Sequence, residues 1–114
     1  MRLCITAQGN DPEAAVDPRF GRCRYFWLVD TVSGKQEILE NPNGQNSGGA
    51  GIQSAQLMVS KGIEALLTGH VGPNAAQVLN PAGIKIYTGI TGKVTETITL
   101  FKNGALKTTP ESVS

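Results

Sequence analysis

What the chain lacks narrows its function before any motif is considered. No apolar run approaches the ~20 residues of a bilayer helix, so no membrane span is expected. Ten basic and nine acidic residues leave a net charge of +1, without the basic excess that contact with a phosphate backbone requires, and nucleic acid is not an expected partner. The segment Arg2–Ala7 carries no carboxylate, and the acids are dispersed at Asp11, Glu13, Asp17, Asp30, Glu37, Glu40, Glu64, Glu96 and Glu111. A two-metal nuclease needs clustered carboxylates beginning on its first strand, so that chemistry is not expected. Only two cysteines occur, Cys4 and Cys23, too few for a disulfide framework. They read as free thiols, with a single Cys4–Cys23 bridge as the open alternative. Met1-Arg2-Leu3-Cys4 leads into a strand pattern rather than a signal peptide, which makes a cytoplasmic location the expectation.

What is present describes one folded domain. The 114 residues, 39% of them hydrophobic, suffice for a core that needs neither metal nor disulfide. Residues 1–106 are expected to form the domain. Residues 107–114 have no core-forming period and read as a flexible tail.

Along the chain, Arg2–Ala7 reads as a strand with Leu3 and Ile5 on one face and Cys4 and Thr6 on the other. Residues 8–21 form a long loop with Gly9, Pro12 and Pro18. Residues 24–31 and Gln36–Glu40 flank the turn Val32-Ser-Gly-Lys35 as an antiparallel hairpin, with Tyr25 and Trp27 as core or sheet-face residues. Ile52, Ala55, Val59 and Ile63 repeat with a helical period that stops near Gly62, giving a helix over 50–61. The short apolar run 63–68 reads as a buried parallel strand. Pro73 starts a second helix that ends before Pro81, and residues 84–87 give a fifth strand. Residues 91–102 fit a helical face through Val94, Ile98 and Phe101 better than the partial alternation of Val94, Ile98 and Leu100. The order strand, hairpin, helix, strand, helix, strand, helix is an α/β plan with a mixed sheet.

The chemistry concentrates at Gly48, Gly49 and Gly51, directly before the first helix. Glycines there admit positive φ and close approach, and the first N–H groups of a helix lack intrahelical partners, so an anionic ligand is expected. A tight turn is the plainer reading of the same glycines. The run is not a P-loop, because Ile52-Gln53 stands where lysine and serine would follow. The strand exits Ala7-Gln-Gly9, Thr68-Gly-His70 and Tyr87-Thr-Gly89 leave room for a ligand.

Taken together, Asp17-Pro-Arg-Phe-Gly-Arg-Cys-Arg-Tyr-Phe26 with Asp30, Gly48-Gly-Ala-Gly51, Thr68-Gly-His-Val-Gly-Pro-Asn74 and Ala82-Gly-Ile-Lys-Ile-Tyr87 resemble the dinitrogenase iron–molybdenum cofactor-biosynthesis domain family over about residues 2–103. The resemblance implies a ribonuclease-H-like α/β fold, here a mixed five-stranded sheet with about three helices. It implies a carrier without turnover, holding a molybdenum–copper sulfide cluster or an iron–molybdenum cofactor-type cluster largely without covalent ligands. An interaction module that docks a Mrp or ParA-like ATPase, and a nucleotide-binding protein, are the rival readings. Many relatives have His-Phe-Gly where this chain has Arg19-Phe20-Gly21, which substitutes a permanent cation for an imidazole.

A sulfide polyanion needs N–H donors, positive charge and apolar walls. The expected binding residues are Arg19, Gly21, Arg22, Gly48, Gly49, Ala50, Gly51, Ile52, Gly69, His70, Val71 and Gly72, with Phe20, Ile52 and Val71 as walls. His70 reads as a metal ligand or sulfide donor, or else as a surface or capping residue. Cys23 reads as a thiolate ligand or as buried filler, and Cys4 as core. For Arg19 and Arg22 the plainer reading is solvated loop charge, and for Pro73 and Asn74 it is helix initiation.

Overall fold

The structure, a computed structural model, describes residues 1–42 and 49–108. Eight elements follow in order: β1 (Arg2–Ala7), β2 (Tyr25–Asp30), β3 (Gln36–Glu40), α1 (Ala50–Ser60), β4 (Ala65–Leu67), α2 (Pro73–Leu79), β5 (Lys85–Tyr87) and α3 (Val94–Lys102). The five strands form one mixed sheet in the order β3-β2-β1-β4-β5. The hairpin pairs are antiparallel, whereas β1 with β4 and β4 with β5 are parallel. The α/β architecture expected from the sequence is therefore the one observed.

Alternation along β1 divides the core between the two faces of the sheet. Leu3, Ile5 and Ala7 pack with Trp27, Val29, Leu67, Val94 and Ile98, which places α3 on that side. Cys4 packs with Phe26, Leu28, Ala55, Met58, Leu66, Ala75 and Leu79, which places α1 and α2 on the other. Both cysteines are buried and free, so the Cys4–Cys23 bridge is not formed.

Where element limits differ from expectation, hydrogen bonds give the reason. The N–H of Gly62 donates to Val59 O at 3.1 Å and that of Ile63 to Met58 O at 3.1 Å, while Gly62 has φ +68. This is a Schellman ending, and it spends the Ile63 amide on α1, so the strand expected from residue 63 begins at Ala65. Ile84 likewise donates to Leu79 O at 3.2 Å, and β5 begins one residue later than expected. The third helix starts at Val94 rather than Thr91 because Gly92 is left-handed and Lys93 extended, its N–H held by Glu96 Oε1 at 3.0 Å. Val94 and Ile98 are buried and Leu100 is exposed, as a helix and not an alternating strand requires.

Candidate functional site

The long loop after β1 is held to the sheet through buried polar groups. Asp17 N–H donates to Thr6 O at 2.8 Å. The Thr6 hydroxyl donates to Asp17 O at 2.7 Å and lies 2.7 Å from the Thr68 hydroxyl, all three residues being buried. The loop then runs beside the exit of β4, where Arg19 and His70 form a parallel bridge and Phe20 N–H donates to His70 O at 3.2 Å. Gly69 makes this contact possible, since a Cβ there would lie 2.5 Å from Pro18 Cα.

The same loop reaches α1. Gly21 has φ +93, and a Cβ on it would lie 2.9 Å from Gly51 Cα and 3.0 Å from Gly51 N. Asn41, only 9% exposed, closes the arrangement by donating from Nδ2 to Gly21 O at 3.0 Å and to Cys23 O at 2.9 Å. Three segments widely separated in sequence, 17–23, 49–52 and 69–72, thus meet at one end of the sheet.

At the start of α1, Gly49 is the N-cap with φ +73, a conformation that admits glycine readily. The helical ladder opens with Gln53 N–H to Gly49 O at 2.9 Å. The amides of Ala50, Gly51 and Ile52 belong to the first turn, whose N–H groups have no acceptor within the helix and sit at the positive end of its dipole. Gly51 also faces α2, 3.5 Å from the position of Ala75 Cβ to its own would-be Cβ. Gly48 lies outside the described residues. Gly72 is the extended N-cap of α2, with Pro73 in its first turn, so Pro73 and Asn74 open that helix.

The charged groups are unequal. Arg19 makes a two-pronged contact with Asp17, Nε to Oδ1 at 3.2 Å and Nη2 to Oδ2 at 3.3 Å, and its own N–H donates to Oδ1 at 3.0 Å. The Arg19 side chain is 63% exposed, whereas that of Asp17 is 2% exposed. Arg22 and His70 are exposed, Val71 is half-buried and packs against the core, and Ile52 lies at the surface of the first helical turn. Phe20, expected as a wall of the site, is instead a core residue with its ring 6.2 Å from that of Phe26.

Cys23 is 1% exposed, and burial, reinforced by the charge of Asp17, pushes its thiol up to about 12. The Cys23 side chain packs among the core residues on the α1 and α2 side of the sheet. Cys4 is fully buried, and burial raises its thiol further from ionisation. Among the described residues no group of three or more His, Cys, Asp or Glu side chains is placed to hold a metal ion. The residues present therefore suit an anion gripped by N–H groups and cations better than a metal enclosed by side-chain ligands.

Thr6, Thr68, Asn41 and the carboxylate of Asp17 were not singled out by sequence reasoning. Asn41 stands at the head of the glycine-rich stretch, which is the only local signal it offers. Thr6 and Thr68 are 62 positions apart, and nothing local announces their contact.

Comparison with known proteins bears on the family and the fold. The family model described as dinitrogenase iron–molybdenum cofactor matches residues 1–104. An uncharacterised protein of Methanocaldococcus jannaschii is 35% identical over 110 residues, covering 94% of this chain and 90% of its own length. The apo form of the orange protein from Desulfovibrio gigas superposes with a TM-score of 0.89 at 37% identity, over 95% of this chain and 92% of that one. A Thermotoga protein described as a candidate NifB of the DUF35 family gives 0.81 at 39% identity, over 94% and 91% of the two chains. By sequence, motif order and fold, the chain belongs to the dinitrogenase iron–molybdenum cofactor family.

Proposed function

We propose that the chain is a non-catalytic carrier of an anionic molybdenum-containing metal–sulfur cluster, of the molybdenum–copper sulfide or the iron–molybdenum cofactor type. The observation that carries this reading is the convergence of 17–23, 49–52 and 69–72 at the first turn of α1. The first-turn amides supply donors, Arg19 and Arg22 supply guanidinium N–H groups, and His70 stands beside them as a candidate donor or ligand. Gly21 and Gly69 let the backbone segments come together without intervening side chains. The family model's own description, a molybdenum cofactor, supports the class of guest. Cys23 is left out of the ligand set because its side chain is 1% exposed and packs in the core.

A helix terminus contributes up to about 2 kcal/mol towards a partly buried anion, so several amides and cations together are needed for retention. The test is anaerobic reconstitution with tetrathiomolybdate and cuprous ion, desalting, then elemental analysis and a visible spectrum. Molybdenum that co-elutes with the protein and gives a sulfide-to-metal absorption band is the expected result. A colourless, metal-free protein after desalting refutes the proposal.

A further inference from the structure

Asp17 is an unusual residue to find beside a site for anions. Its carboxylate is almost wholly buried, and burying a carboxylate is costly unless it is paired and hydrogen-bonded. Its backbone cannot drift, because its N–H and C=O are both bonded to Thr6 of β1. Among the described residues the carboxylate accepts hydrogen bonds from one residue, Arg19, through the main-chain N–H, Nε and Nη2. The anchored member of the pair is negative, and the exposed member is the cation that would otherwise face a guest.

We propose that Asp17 sets the affinity of the site for its anionic guest by cancelling the charge of Arg19. The inference rests on the anion-binding reading above and deepens it. A formal cation and a formal anion joined by a two-pronged contact present little net charge at a distance. Arg19 therefore offers N–H groups and shape while contributing little long-range attraction. Such a pair suits a guest that must leave again, because an uncompensated arginine at the rim would slow its release.

A purely structural role for Asp17 makes a different prediction. Its Oδ1 accepts the Arg19 N–H two residues on, an Asx-turn contact that shapes the loop. Asparagine preserves that acceptor while removing the charge, so Asp17→Asn separates the two roles. For unit charges about 8 Å apart at an effective dielectric constant of about 40, between the near-surface and bulk-water values, the freed cation strengthens binding of each guest charge by roughly fivefold.

The experiment titrates purified protein anaerobically with tetrathiomolybdate and cuprous ion at fixed, low ionic strength, and reads the dissociation constant from the visible band. Four proteins are compared: wild type, D17N, R19Q and D17N/R19Q. D17N is expected to bind about fivefold or more tightly than wild type, with the gain shrinking as salt is added. R19Q is expected to bind more weakly, because it exposes the Asp17 charge. The double variant, isoelectric with the wild type, is expected to stay within about threefold of it. Unchanged or weaker binding by a folded D17N overturns the proposal while leaving the carrier reading intact. A double variant as weak as R19Q also overturns it, since Arg19 would then act by direct contact; this arm decides the matter if D17N alone does not fold. Uptake by none of the four overturns both readings.

Discussion

Replacing Gly69 by alanine tests whether the loop and the end of β4 are as closely apposed as described. The added Cβ would lie 2.5 Å from Pro18 Cα, 2.7 Å from Pro18 Cβ and 2.8 Å from Pro18 O, whereas ordinary contact begins near 3.4 Å. Relief requires a movement of about 0.9 Å at Pro18, and neither side yields easily. Pro18 is flanked by Asp17, tied to Thr6, and by Arg19, tied to Asp17, while Gly69 O accepts from Gly89 N–H at 2.9 Å. Gly69 is not among the positive-φ glycines, so the penalty is steric rather than conformational. Overpacking of this kind costs about 1–3 kcal/mol, and losing the Phe20 N–H to His70 O bond adds about 1 kcal/mol. At roughly 4–5 °C per kcal/mol for a domain slightly above 100 residues, a total of about 2–4 kcal/mol should lower Tm of the metal-free protein by about 8–20 °C. Circular dichroism melting reads the shift, and amide exchange at Phe20 reads the bridge. Gly72→Ala is the control, since nothing lies within 4 Å of its added Cβ, and as an N-cap change it should cost under about 1 kcal/mol. A Gly69→Ala protein that melts within about 3 °C of wild type with Phe20 still protected refutes the reasoning.

Asn41→Ala should destabilise by about 1–3 kcal/mol, because the buried carbonyls of Gly21 and Cys23 lose their shared donor; urea unfolding measures this, and a change below about 0.5 kcal/mol contradicts the role given to Asn41. Cys23 should resist iodoacetamide at pH 8 in the native protein and react quickly in urea, since burial disfavours its thiolate. The same shift has a defined sign: the folded value, about 12, exceeds the ordinary value of 9.0, so the unfolded chain releases this proton first. The contribution is whole below pH 9 and is lost as pH rises towards 12, and a shallower slope in Cys23→Ala, with Cys4 raised in the same direction and still contributing, checks the assignment. Arg22→Ala should weaken retention of the reconstituted cluster severalfold; retention unchanged at low salt removes Arg22 from the field of the site.

Most of the architecture was legible because it is written in local patterns. The alternation of β1, the turn Val32-Ser-Gly-Lys35, Pro73 at a helix start and glycines at helix ends are all signals within a few residues of what they specify. Boundaries slipped where tertiary bonds intervened, as when Ile63 turned its amide back to Met58 instead of joining the ladder. At the site, the glycines were noticed for what they offered a ligand, yet Gly21 and Gly69 serve close approach of protein to protein. Aromatic character alone suggested Phe20 as a wall, and only its packing against Phe26 reveals a core residue. Asp17 was weighed among dispersed acids for a metal cluster, so its pairing with Arg19 two positions away escaped attention. The Thr6–Thr68 contact has no sequence signature, because it depends on β1 and β4 becoming neighbours.

The stretch between β1 and Asp17 is braced from the far side of the sheet. Val16 N–H donates to Gly92 O at 2.8 Å, Val94 N–H donates to Ala14 O at 3.0 Å, and the Thr95 hydroxyl donates to Pro12 O at 3.4 Å. Gly92 and the start of the helix opposite α1 are therefore a remote buttress for the loop that carries Arg19. If the chain is the carrier proposed above, lesions around Gly92 and Val94 would misplace that loop, and a screen for impaired loading would recover them on the opposite face of the sheet from α1.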